Sequence, residues 1–142
     1  MHLHQSVIST TDGKNVFAED NGNDTELFHA HIAGLQEYIP ALMPMLAPYA
    51  NSYLRVGSNM SSPANLHWGR ENRSVGLRVP SGSRAGRRIE NRIAGADVNP
   101  YLAIAASLLA GYLGMVEGLK PSEPLTESAY ELDTLRLPAH FM

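Results

Sequence analysis

The chain contains no cysteine, a single tryptophan and three phenylalanines, and lysine is nearly absent. Without cysteine there is no disulfide framework, no thiolate metal site and no thiol nucleophile. The opening Met1-His2-Leu3-His4 has neither a charged segment nor an apolar stretch behind it, so no secretory signal is expected and a cytoplasmic protein is the default. No apolar run reaches the ~20 residues of a membrane span, so no membrane partner is expected. Aromatics make up only 7% and the net charge is −3, which argues against nucleic acid as a partner. What is present, 44% apolar residues in 142, suffices for one domain with its own core.

The mean charge conceals a strong asymmetry. Eight arginines (Arg55, Arg70, Arg73, Arg78, Arg84, Arg87, Arg88 and Arg92) lie within residues 55–92 against two carboxylates, Glu71 and Glu90, and no lysine. That stretch carries +6 and the remainder −9. Arginine without lysine points to planar, bidentate recognition of carboxylate or phosphate. The alternative is a set of surface salt bridges.

Residues 2–8 read as a strand, and turn residues at Asp12-Gly13 return the chain at Val16-Phe17 as a hairpin. Asn23 followed by Glu26 resembles a capping box, and Leu27, Phe28, His31, Ile32, Leu35, Ile39, Leu42, Met43 and Leu46 keep the spacing of one helical face. Pro40 and Pro44 are expected to kink or break it, leaving a helix to about Ile39 and an irregular second piece to Pro48. Short β-type runs follow at 52–56, 65–69, 74–79 and 87–94, with loops at 58–63 and 80–86. Asn99-Pro100 opens a helix, Tyr101 to Val116 is apolar or small almost all round and predicts a buried helix, and Gly118 and Pro121 end it. The tail from Pro121 is polar and is expected to wrap the surface.

Two constellations carry chemistry. His2 and His4 alternate onto one strand face, where paired imidazoles can ligate a divalent ion or hold a phosphate. Arg88, Glu90 and Arg92 likewise alternate onto one face of their own strand, with Ile89 and Ile93 turned away. Glu90 then suits a metal and the flanking arginines suit anions; the alternative is a solvated strand with Arg–Glu–Arg pairing. His29 and His31 fall on different helix faces, and His67, His140 and Trp68 have no identifiable partner.

Six ordered blocks, Met1-His-Leu-His-Gln-Ser6, Asn51-Ser-Tyr-Leu-Arg55, Trp68-Gly-Arg-Glu-Asn-Arg73, Leu77-Arg-Val-Pro80, Arg87-Arg-Ile-Glu-Asn-Arg92 and Asp97-Val-Asn-Pro-Tyr-Leu102, resemble the glutamine synthetase family in order and spacing. Their wording is most similar to the γ-glutamyl-polyamine synthetase branch. The resemblance implies an ATP-dependent ligase using Mg²⁺ or Mn²⁺ that joins glutamate to ammonia or an amine through γ-glutamyl phosphate. It implies His2 and Glu90 as metal ligands; His4, Gln5 and Ser6 along the nucleotide; Arg55 and Arg92 on glutamate; Arg73 between glutamate and phosphate; and Arg78 and Arg88 on the transferring phosphoryl group. Arg73 and Arg78 would also touch the nucleotide.

Three departures qualify the resemblance. The position of the family's ammonium-deprotonating glutamate falls at Ser61, which suits a larger amine, and its basic nucleotide position falls at Arg84 or Ala85. The family's enzymes are also much longer. Residues 1–142 are therefore expected to be the C-terminal portion of a catalytic domain, without the N-terminal β-grasp domain and the first half of the sheet, inactive alone and prone to self-association, with homo-oligomers in the parent enzyme. The expected architecture is α+β, an antiparallel sheet with helices packed on one face. Alternatives are a non-catalytic anion- or nucleotide-binding module of the same descent and an RNA-binding domain.

Overall fold

The computed structural model describes residues 1–57, 62–130 and 132–138. Four three-residue strands, β1 (Leu3–Gln5), β2 (Trp68–Arg70), β3 (Leu77–Val79) and β4 (Ile89–Asn91), form one sheet in the order β1-β4-β3-β2. Helices α1 (Glu26–Leu46), α2 (Ala50–Gly57) and α3 (Pro100–Glu117) complete the α+β architecture. β1–β4 and β3–β4 pair antiparallel, as expected, whereas β2 pairs with β3 in parallel. The β2–β3 connection makes that possible: Asn65 Oδ1 accepts from the backbone of His67 and Gly76, and its Nδ2 donates to Ser74 O, so the intervening chain loops back instead of reversing in a hairpin.

The strands are shorter than the pattern suggested. The hairpin forms, with Ser9 and Val16 donating to Lys14 O and Val7 O around Gly13 at φ 70°, but its return arm stays outside the sheet. The tail runs along the outer side of β2, where Leu125 N donates to Trp68 O and the Trp68 indole to Ser122 O, so that edge is covered. β1 has β4 on one side and, among the described residues, no strand on the other.

Three helix expectations need correction. α1 runs through Pro40 and Pro44 to Leu46, because Ile39, Met43 and Leu46 continue its buried stripe. That burial outweighs the ~3 kcal/mol cost of an interior proline. Its cap is Thr25, whose hydroxyl accepts from Phe28 N, and not Asn23. Residues 52–56 belong to α2 and are not a strand: Tyr53 and Val56, three apart, are both buried while Leu54 is exposed, a helical period hidden in a short run.

α3 begins where expected, with Asn99 Oδ1 accepting from Tyr101 N and Leu102 N, and ends on Gly118 in the left-handed region. It is not buried all round. Ala103, Ala106, Ser107, Ala110, Gly111 and Gly114 pack inward, whereas Leu102, Ile104, Leu108, Leu109, Tyr112, Val116 and Tyr101, the last 83% exposed, face outward. Small residues on one side and large ones on the other make a helix that is apolar all round yet packed on one side only. It is the one described helix long and apolar enough to cross a bilayer, with a mean hydropathy of 1.3 over 18 residues.

The core gathers Phe17, Phe28, Ile32, Leu35 and Ile39 against Leu77, Val79, Ile89 and Ile93. His31 lies inside it, its ring centroid 5.0 Å from that of Phe17 and tilted 57° to it, with neither ring nitrogen hydrogen-bonded. Burial pushes its pKa from 6.5 down to about 4. The unfolded chain therefore takes up this proton first as pH falls. The stability His31 contributes is complete above pH 6.5 and is lost progressively down to about pH 4, about 3 kcal/mol in all. Denaturant titrations of wild type and His31→Leu across this range are expected to show a shallower pH slope in the variant.

Candidate functional site

The pairing of β1 with β4 places His4 directly opposite Glu90, and Glu90 opposite Arg78 on β3. Period-two alternation therefore turns His2, His4, Glu90 and Arg78 to one side, while Leu3, Ile89, Leu77 and Val79 enter the core. Glu90, 3% exposed, is the centre of the cluster. Its Oε1 lies 2.8 Å from His2 Nδ1, 4.0 Å from His4 Nε2 and 3.5 Å from Arg92 Nη1. Its Oε2 accepts from Arg78 Nη1 at 2.7 Å. Arg78 is shared, since its Nη2 donates to Glu71 Oε2 at 2.8 Å. Arg88 joins from the position just before β4, its Nε donating to His4 Nδ1 at 3.3 Å.

Protonation states follow from this arrangement. Burial drives the Glu90 carboxyl up, but the Arg78 hydrogen bond and the charges of Arg92, Arg78 and His2 outweigh it, leaving the pKa below the ordinary value of 4.5. For His2, burial and the charge of Arg92 outweigh the attraction of Glu90, so its pKa falls below 6.5. At neutral pH the pair is a carboxylate beside a neutral imidazole, which is what metal ligation requires. Nitrogen and carboxylate donors converging at 2.8 Å fit part of the sphere of Mg²⁺ or Mn²⁺, ions that keep several positions for water and phosphate. Among the described residues there is no group of three or more His, Asp or Glu placed to hold an ion by themselves.

The other expected residues divide. Arg55, on α2, reaches Ser62 Oγ and the carbonyl of Ile93 at the end of β4. Burial, and after it the charge of Arg55, lowers the pKa of the Met1 amino group, which donates to Ala94 O, so Arg55 lies at the same end of the cluster as His2. Ser6 is exposed just past β1. Gln5 does not face the cluster. It is buried, its Oε1 accepting from Ser107 Oγ, while its Nε2 is unpartnered. Beside it, β1 and α3 enclose a cleft of about 350 Å³ lined by His2, His4, Ser6, Ile104 and Leu108 among others. Arg73 is exposed, with no ion pair or hydrogen bond among the described residues, and is not brought to Glu90. Ser61 and His140 lie outside the described residues.

Arg84 and Arg87 serve a different purpose. Arg84 pairs with Asp20 at 2.7 Å, and Arg87 and Arg70 both bind the buried Asp24, tying the hairpin region to the sheet. For these three arginines the salt-bridge alternative holds. Sequence reasoning missed Asp24, Asn91 and Ser107. Asn91 carried a signal as the residue beside Glu90 on the inward face, but Ser107 gave none beyond being one polar residue in an apolar helix.

The family model described as glutamine synthetase, catalytic domain, matches residues 1–141. Gamma-glutamylputrescine synthetase PuuA of Escherichia coli is 41% identical over 127 residues, covering 89% of this chain and 26% of that protein. A glutamine synthetase of Nostoc is 41% identical over 135 residues (93% and 28%), and glutamate–isopropylamine ligase of a Pseudomonas species 38% over 133 (92% and 29%). The solved structure "Apo GmaS without ligand" superimposes with a TM-score of 0.84 at 30% identity, covering 98% of this chain and 32% of its own. The chain thus spans between a quarter and a third of the length of these relatives. Sequence blocks, fold and match agree: the chain belongs to the glutamine synthetase catalytic-domain family.

Proposed function

We propose that this chain is the C-terminal portion of a glutamine synthetase-type catalytic domain, in a whole protein that joins glutamate to ammonia or an amine through γ-glutamyl phosphate. The observation that carries the reading is the convergence of His2, His4, Arg78 and Arg92 on the buried carboxylate of Glu90, with Arg88 held on His4. His2 and Glu90 would hold Mg²⁺ or Mn²⁺, which would supply charge neutralisation for the transferring phosphoryl group. Arg78 and Arg88, held by Glu90 and His4, would meet the phosphoryl oxygens as negative charge spreads over them. Arg92 and Arg55 would orient glutamate from the two sides of the end of β4, with Arg73 reaching in from the rim. His4 and Ser6 would flank the nucleotide, and the unpartnered Nε2 of Gln5 would offer it a donor from the cleft beside α3.

Relatives that use isopropylamine and putrescine by name, together with Ser61 at the expected acidic position, support an amine larger than ammonia. The open side of β1 and the apolar outer face of α3 are where the rest of the catalytic domain would pack. With a partial donor set, the chain is expected to bind Mn²⁺–ATP weakly and to release no phosphate. Heteronuclear NMR titration with Mg²⁺–ATP should shift resonances at His2–Ser6, Arg78, Arg88 and Glu90. Shifts confined to other surfaces would overturn the site. Phosphate release from ATP by the chain alone, given glutamate and an amine, would overturn its incompleteness. Binding without turnover in the whole protein would favour the non-catalytic module.

A further inference from the structure

Behind the strand pair that carries the site, three buried polar side chains form one hydrogen-bond chain. Asn91 Oδ1 accepts from the backbone of Ile93 at 3.0 Å, and its Nδ2 donates to Ser107 Oγ at 3.0 Å. The Ser107 hydroxyl donates in turn to Gln5 Oε1 at 2.5 Å. The three residues come from β4, α3 and β1, and Asn91 and Ser107 are completely buried. Ser107 is the member that touches both strands: its one proton goes to Gln5, and an oxygen lone pair receives Asn91.

We propose that Ser107 is a positioning residue that locks the register of β1 on β4, and with it the meeting of His2 and His4 with Glu90; the link to metal binding rests on the reading of the site given above. The need for such a lock follows from the sequence of β1. It is three residues long, pairs on one side only, and offers the core a single aliphatic side chain, Leu3. A slip of one residue would turn Leu3 and Gln5 toward Glu90 and carry His4 inward. Aliphatic burial alone opposes this weakly. In the observed register Gln5 is the β1 residue whose amide reaches Ser107. After a slip, the Ser107 hydroxyl and the Asn91 amide would face a different side chain, leaving buried polar groups unpaired. Ser107 thus penalises the wrong register as well as supporting the right one.

The test uses the 142-residue chain with Ser107→Ala, and with Gln5→Met as a second, volume-conserving variant should the first fail to fold. Residue-resolved amide hydrogen exchange is the first readout. The β1–β4 amides are expected to exchange about tenfold faster, the effect of losing one buried hydrogen bond of about 1.4 kcal/mol, with the β3–β4 amides little changed. Mn²⁺-induced broadening of the His2 and His4 ring signals is the second. The Mn²⁺ concentration giving half-maximal broadening is expected to rise several-fold. Uniform acceleration over all strands, or none, would overturn the register lock. β1-selective acceleration with an unchanged Mn²⁺ response would overturn its connection to the site. If wild type shows no Mn²⁺ broadening at His2 and His4, the metal reading fails by itself, and the exchange pattern still decides the role of Ser107.

Discussion

Gly114→Val is expected to leave the chain largely unfolded at 25 °C, a loss of more than 4 kcal/mol. The reason is the approach of α1 to α3. Gly34 and Gly114 face each other so closely that a Cβ placed on Gly34 would sit 2.7 Å from Gly114 Cα, and one on Gly114 would press into the carbonyl of Ala30 and the Cα of Gly34. These obstacles are backbone atoms, which no rotamer change removes. Relief would require the helices to separate by more than an ångström along a seam that also carries Ala30, Ala110, Gly111 and the ring of His31. Separation would reopen the α3 side of the core, where Ala103 and Ala110 now lie fully buried. Far-ultraviolet circular dichroism and urea titration of Gly114→Val beside Val116→Ala, a change on the exposed face of the same helix, check this. The second substitution should cost less than 1 kcal/mol, and equal losses in the two would remove the argument from close approach.

Those glycines also show what was legible beforehand. Glycines at 111 and 114 were visible in an apolar helix, but their partner Gly34 lies 80 residues from Gly114, and nothing local states that the two meet. What could be read directly was alternation and order. His2 and His4 on one face, Glu90 between Arg88 and Arg92, and Ile89 and Ile93 inward all follow from the two-residue period of a strand, and each is found. Elements whose local signal was opposed by long-range packing were misread. Pro40 and Pro44 argue locally for a break, yet Ile39, Met43 and Leu46 find the same core on both sides of it. The all-apolar character of α3 argues for complete burial, yet only its small residues are covered. The parallel pairing of β2 and β3 depends on Asn65 bridging both strands, a contact that sequence spacing does not announce. Arg84 and Arg87 were indistinguishable from the site arginines by composition. Their acidic partners, Asp20 and Asp24, lie more than sixty residues away.

Glu90→Ala is expected to remove the metal response entirely and to cost about 3 kcal/mol of stability, because it deletes the one buried anion at which four cationic or imidazole side chains meet. Arg78 retains Glu71 as a partner, so the larger share of the cost falls on Arg92, a largely buried guanidinium whose Nε already lacks a hydrogen bond. Glu90→Gln separates charge from shape: an amide oxygen still accepts from Arg78, so the stability loss should be smaller, while Mn²⁺ broadening at His2 should vanish as completely as in the alanine variant. The pH dependence supplies an independent check. Because the folded carboxyl titrates below its ordinary value of 4.5, the unfolded chain takes up this proton first. The stabilisation is therefore complete above that value and disappears as pH falls through the folded one. Wild type minus Glu90→Gln should thus show a stability difference that is constant at neutral pH and shrinks below about pH 4.5. A difference that grows on acidification, or an Mn²⁺ response that survives in Glu90→Ala, would mean that the carboxylate is not the group around which the arginines and histidines are organised.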